Sequence, residues 1–464
     1  TCVEAVSHYL EKISSTFHLN AWLEVFEAEA LERAEKLDKE RQSGAILGKL
    51  HGVVIGLKDV ICFKGHKVSA SSRILEGFTS VYNATATQRL LDEGAIIIGR
   101  QNCDEFAMGS SNENSAFGPV KNAIDEARVP GGSSGGSAAA VQTGSCMISL
   151  GSDTGGSVRQ PADFCGIIGF KPSYGAISRY GLIAYASSFD QIGIFAKTVE
   201  DVGLVLDVIA GADEFDSTAY QKPYSNISDK RVEEKKYKIC YFKNALEHAS
   251  LDGDIAGEIS GFISALTTAG NEVRAADFEL LDYIVPAYYI LTTAEASSNL
   301  SRYDGIKYGY RNNEEKHSLA ELYTLSRSQG FGPEVKRRIL LGTFVLSEGY
   351  YDAYFSKAQK VRKLLVEKTR AIFKEFDAII LPTVPAPAYK IGEKKDPVEI
   401  FLADIYTVYA NLAGIPAVSL PLFKNRQGLP FGLQVMTSQH NEDLLLQLSE
   451  RFMEMKQPKM QNGI

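Results

Sequence analysis

Between Gly131 and Gly175, glycine and serine supply 19 of 45 residues, the sharpest shift of composition in the chain. Text this rich in small residues is either a flexible linker or a place where backbones pack closely together. A linker would be uniformly polar. Here the glycines are interleaved with the small-residue run Ala138 to Val141 and the apolar Met147 to Leu150. The segment therefore reads as packed, and any fold the chain adopts must be built around it.

Two serine-bearing loops lie in this segment, Gly131-Gly132-Ser133-Ser134-Gly135-Gly136-Ser137 and Gly151-Ser152-Asp153-Thr154-Gly155-Gly156-Ser157. Neither G-x-x-x-x-G-K-[ST] nor G-x-G-x-x-G occurs anywhere, so the two common phosphate-cradling fingerprints are not met. Gly132 to Gly136 does satisfy G-x-S-x-G, but a nucleophile elbow needs a strand running straight into the turn. The lead-in is polar, with Lys121, Asp125, Glu126 and Arg128, and ends on Pro130.

A serine hydroxyl needs a neighbouring base to become a nucleophile. No histidine lies between His66 and His248, so the loops carry no local imidazole. Lys58 is the candidate instead. It follows the apolar strand text Gly52 to Leu57, a place where desolvation lowers a lysine's pKa. Taken alone, such a lysine more often snorkels to water from a strand end. Thr154, Gly155, Gly156 and Ser157 add successive backbone N–H groups on small residues, the kind of text that can converge on an oxyanion.

The rest of the chain sets the frame. Its 49 basic and 57 acidic side chains give a net charge of −8, which argues against a broad nucleic-acid-binding face of its own. No apolar run approaches the ~18 residues of a membrane span. Six scattered cysteines without a C-x-x-C pair exclude a common zinc spacing and point to a reducing compartment. Helical spacing predicts two amphipathic helices between Cys2 and Arg41 and a helix from Thr85 to Glu93. Strands are expected at Ala95 to Ile98, Ala378 to Leu381 and Ala417 to Leu420. The expected architecture is α/β, a mixed and mostly parallel sheet flanked by helices, forming one domain over 1–464. Within it, 1–229 is the core with the serine and lysine site, 230–360 a helical excursion contributing to the substrate pocket, and 361–464 the part that completes the sheet.

Val129 to Gly175, with "GGSSGGSAAA" and "GSDTGGSVRQPADFCGIIGFKPSYG", resembles the signature of the amidase-signature hydrolases. The resemblance implies a Ser/Ser/Lys triad: Ser157 as nucleophile, Ser133 as bridging serine after a cis peptide bond from Gly132, and Lys58 as base, with the N–H groups of Thr154 to Ser157 as oxyanion hole. "NCDEFAMGSSNENSAFGPVKN", "GFGPEVKRRILLGTFVLSEGYYDAY" and "NLAGIPAVSLP" are similar to the branch of glutaminase subunits of tRNA-dependent amidotransferases. For that branch the resemblance implies L-glutamine as substrate, with Arg337 holding its α-carboxylate, Asp404 its α-ammonium and Tyr288 nearby. Arg338 is expected on a solvated helix face. No cofactor or metal is expected on this chain. ATP and Mg²⁺ would serve a partner B-type subunit, which would hold most of Glu-tRNA(Gln) alongside a small third subunit. Tyr409 stands where the family often has proline. The start at Thr1 tilts the expected location to the mitochondrial matrix over the bacterial cytoplasm. Two rivals are a free-standing amidase on small or fatty amides, which would have no use for Arg337 and Asp404, and an inactive scaffold.

Overall fold

The computed structural model describes residues 1–221, 235–313, 318–394, 396 and 402–456. Eleven strands form one sheet in the order β1-β3-β2-β4-β6-β5-β10-β11-β9-β7-β8. They are β1 Trp22–Val25, β2 Val54–Lys58, β3 Ile96–Gln101, β4 Ile148–Asp153, β5 Ile168–Lys171, β6 Gln191–Ala196, β7 Lys238–Phe242, β8 Glu272–Ala276, β9 Ala378–Pro382, β10 Ala417–Lys424 and β11 Pro430–Met436. Every residue of β2 and β4 is buried, as the apolar run Val54 to Leu57 predicts for β2, whereas β4 buries Ser149, Ser152 and Asp153 as well.

The sheet is mixed, as expected, but it is not mostly parallel. Six of its ten ladders are antiparallel: β1 with β3, β4 with β6, β5 with β6, β5 with β10, β10 with β11 and β9 with β11. The connections explain the difference. A tight turn at Asn425 to Leu429 folds β10 onto β11, and antiparallel neighbours need no helical crossover. The parallel pairs, β2 with β3 and β4 and β7 with β8 and β9, fall at two separate places in the order.

The helices Cys2–Thr16 and Glu27–Gln42 cover one flank, and the predicted helix spans Thr85–Asp92. The region 230–360 is mainly helical among its described residues, with Leu281–Asn299 and Pro333–Val345 packed against each other. It also supplies β7 and β8 to the end of the sheet, so it is continuous with the central layer rather than an excursion beside it. Tyr409 is fully buried, and its hydroxyl is 2.7 Å from Thr369 Oγ1.

Candidate active site

β2 ends at Lys58, and β4 and the helix Gly135–Thr143 bring two further loops against that end. Lys58 is fully buried, and its Nζ lies 2.7 Å from Ser133 Oγ, 2.9 Å from Ser134 Oγ and 2.8 Å from Ser152 Oγ. Burial pushes its pKa from 10.5 down to about 8, against the pull of Asp104, Asp153 and Asp190. The snorkelling alternative is therefore excluded, because the amine faces hydroxyls and not water.

The Gly132–Ser133 peptide bond is cis. The backbone on either side of it is held: the N–H of Asp104 donates to the Ser133 carbonyl at 3.0 Å, and the Gly132 N–H donates to Gln160 Oε1 at 3.0 Å. A Cβ on Gly132 would lie 2.6 Å from the nitrogen of Ser111 and collide with the Asp104 carboxylate, so only glycine fits.

Ser157 lies past the end of β4, before the short helix Arg159–Cys165. Asp153 shapes this turn. Its carboxylate accepts from the N–H groups of Gly156 at 2.8 Å and Val158 at 3.1 Å, and pairs with the buried guanidinium of Arg159 at 2.9 Å. Burial alone would raise the Asp153 pKa, but Arg159 outweighs it and holds the group down at about 2. Arg159 in turn donates to the Thr407 carbonyl at 2.7 Å, to Asn411 Oδ1 at 2.6 Å and to Gln434 Oε1. On the other side Thr154 Oγ1 donates to Asp190 at 2.6 Å.

One of the four expected oxyanion donors is thus otherwise engaged. The Gly156 N–H points at Asp153, and what Gly156 contributes is its φ of +126°, which favours glycine. Among the described residues, no protein acceptor takes the N–H of Thr154, Gly155 or Ser157, and no hydrogen bond joins Ser157 Oγ to Ser133.

A cavity of about 400 Å³ is lined by Ser110, Ser111, Asn114, Glu334, Arg337 and Arg338, and Ser111 lies against Gly132 of the first serine loop. Tyr288 packs over Gly155, where a Cβ would meet its ring. The neighbouring Tyr289 donates its hydroxyl to Asp404 Oδ2 at 2.8 Å. Burial pushes the Asp404 pKa up to about 7, with Tyr289 and Arg338 pulling the other way.

Of the two adjacent arginines, Arg338 differs from expectation. Arg338 is 4% exposed, not solvated: Nε donates to Glu334 at 2.7 Å, Nη1 donates to the Tyr185 hydroxyl at 2.7 Å, and the guanidinium stacks over the rings of Tyr185 and Tyr289. The Arg337 side chain is 35% exposed and pairs with Glu334 on the cavity's outer wall. Val335, Arg338, Gly342 and Val345 are the buried positions of this helix, a three-and-four spacing that turns Arg338 inward. That periodicity was available in the text. The Asp153–Arg159 pair carried no such signal, because Arg159's further partners lie 248 to 275 residues away.

Among the described residues, no group of three His, Cys, Asp or Glu is placed to hold a metal ion, and no helix is long and apolar enough to cross a membrane. All six cysteines are buried free thiols.

A buried lysine facing serine hydroxyls, beside a glycine loop with backbone donors, defines amide-hydrolase chemistry, and the chain belongs to the Amidase family, whose model matches residues 4–446. Within that family it is 48% identical over 463 residues to the A-type subunit of the glutamyl-tRNA(Gln) amidotransferase of Chlorobaculum parvum, covering 96% of this chain and 93% of the relative. The protein of the same name from Koribacter versatilis is 48% identical over 451 residues, covering 96% and 93%. The crystal structure of its Thermotoga maritima counterpart superposes with a TM-score of 0.79 at 38% identity, covering 96% of this chain and 89% of that one. These relatives are bacterial, and the mitochondrial expectation finds no support among them.

Proposed function

We propose that this chain is the glutamine-hydrolysing subunit of a tRNA-dependent amidotransferase. The observation that carries the reading is a pair of opposite charges set in one buried wall beside the serine loop. Arg338 Nη2 and Asp404 Oδ1 have no hydrogen-bond partner among the described residues, while their remaining polar atoms are held by Glu334, Tyr185 and Tyr289. A guanidinium and a carboxylate so placed match the α-carboxylate and α-ammonium of a free amino acid. A small or fatty amide offers neither group. The clamp is therefore read on Arg338, with Arg337 on the cavity's outer wall.

Neutral Lys58 accepts the proton of Ser133 Oγ as Ser133 accepts that of Ser157 Oγ, a link that closes when the substrate seats. Ser157 attacks the side-chain amide carbon, and the N–H groups of Thr154, Gly155 and Ser157 hold the oxyanion. The lysine's proton returns through Ser133 to the departing nitrogen. Ammonia leaves, and water clears the acyl-enzyme to glutamate by the same path in reverse. Tyr288 walls the loop. The ammonia serves a B-type partner subunit that, with a small third subunit, holds Glu-tRNA(Gln) and uses ATP and Mg²⁺ to convert it to Gln-tRNA(Gln).

The test compares two nitrogen donors on the assembled complex. Ser157→Ala should abolish glutamine-dependent amidation and leave amidation from supplied ammonium largely intact, because acyl chemistry and ATP chemistry sit on different chains. Equal loss with both donors would refute the separation.

A further inference from the structure

Ser134 takes no part in the proton path above, yet it touches every member of it. Its peptide follows Ser133, its backbone N–H donates to the Ser157 carbonyl at 3.3 Å, and its Oγ accepts from Lys58 Nζ at 2.9 Å. The hydroxyl is fully buried and is occupied on its other side as well: Oγ donates to the Ser152 carbonyl at 3.1 Å and accepts from the Ser152 N–H at 3.3 Å.

Those contacts fix the direction of one hydrogen bond. A hydroxyl has a single proton, and that of Ser134 is already given to the Ser152 carbonyl. Towards Nζ, Ser134 can therefore only accept. A neutral primary amine carries two N–H groups and one lone pair, and three hydroxyls surround this one. With Ser134 holding one N–H, the lone pair is kept for the two remaining hydroxyls, Ser152 at 2.8 Å and Ser133, which lies nearest at 2.7 Å.

We propose that Ser134 is a positioning residue: by committing its own proton to the Ser152 carbonyl, it keeps the lone pair of Lys58 from turning to Ser134 itself and so available to Ser133. The proposal rests on the Lys58, Ser133 and Ser157 roles given above. The proton count closes. When Ser133 passes its proton to Nζ, the resulting ammonium donates to all three hydroxyls, and Ser133 Oγ is free to take the proton of Ser157. Without the Ser134 hydroxyl, one N–H loses its acceptor and the amine can turn its lone pair away from the path.

The test is Ser134→Ala in the full-length chain, assayed for glutamine hydrolysis across pH beside Ser157→Ala. The expected result is a fall in kcat of at least ~10-fold with KM within about twofold of wild type, because the change touches proton transfer and not the substrate clamp. The acid limb of kcat should also move to lower pH. The ammonium form loses an acceptor that matters more to it than to the neutral amine, so Lys58 protonates less readily. A purely structural defect lowers the amount of active enzyme and leaves that limb where it was. If Ser134→Ala does not fold, Ser134→Cys, similar in shape but a poor acceptor, is read the same way. An inactive Ser157→Ala beside a Ser134 variant with wild-type kcat and acid limb would overturn the Ser134 role alone. An active Ser157→Ala would overturn the path on which it rests.

Discussion

Replacing Lys58 with methionine should change how the stability of the protein depends on pH, by an amount the structure specifies. Burial among Ser133, Ser134 and Ser152 lowers the lysine from 10.5 in the free side chain to about 8 in the folded state. Below pH 8 the group is protonated both folded and unfolded, so it contributes no pH slope. Between about 8 and 10.5 the unfolded chain binds a proton that the folded chain does not, so stability rises with pH across that window. At ~1.4 kcal/mol per pH unit the rise is about 3 kcal/mol. Lys58→Met removes it, together with a pH-independent term from three hydroxyls that lose their partner. Lys171, also buried and lowered to about 7, contributes to both proteins and cancels in the difference. Urea unfolding of wild type and Lys58→Met at intervals between pH 7.5 and 10.5 gives that difference directly. It should move by about 3 kcal/mol in favour of wild type as the pH rises. A difference flat to within ~1 kcal/mol would mean that the folded-state amine is an ordinary lysine, and the general-base assignment would lose its physical basis.

Two further substitutions probe the clamp and the loop. Arg338→Ala and Asp404→Asn should each cost ~2 to 5 kcal/mol in kcat/KM for glutamine, while hydrolysis of a short aliphatic amide and the glutamine kinetics of Arg337→Ala stay near wild type. Equal losses on both substrates would assign these residues to the fold. The same clamp predicts that the KM for glutamine rises as the pH falls through about 7 and Asp404 gains a proton, a dependence that Asp404→Asn should lack. Asp153→Asn leaves the buried Arg159 guanidinium without its counter-charge and should destabilise the protein by ~3 to 5 kcal/mol, read as a drop in the midpoint of urea unfolding.

The parts of the molecule legible in the sequence are those whose physics is local. β2, β3, β9 and β10 announce themselves as apolar, β-branched runs, and each expected span overlaps the observed strand. Lys58 at a strand end and Ser133 and Ser157 in glycine loops are likewise local statements, and the structure brings Lys58 and Ser133 into contact. β1 and β8 escaped because each is short and only partly buried, and such strands show no clear alternation. Strand direction escaped because an apolar run looks the same whichever way it points. Tyr289 was hidden beside Tyr288, and the inward turn of Arg338 depended on helix phase rather than on residue type. The network around Arg159 was beyond reach, since Thr407, Asn411 and Gln434 have no periodic relation to it.

The span of that network bears on when the protein can become itself. Residues up to Ile168 include Lys58, both serine loops and strands β1 to β4, so a chain still emerging from the ribosome has every group of the proton path early in its synthesis. It does not yet have a shaped nucleophile turn. Arg159 waits for the Thr407 carbonyl, Asn411 and Gln434, and β5 waits for β10 as a neighbour. At ~5 to 20 residues per second, more than ten seconds of translation separate the two ends of this contact set. Until then the arginine and aspartate side chains can stay hydrated, and their desolvation is deferred to a late step in which the last strands close the sheet. The nascent chain thus carries the chemistry of an amidase long before it carries the geometry of one.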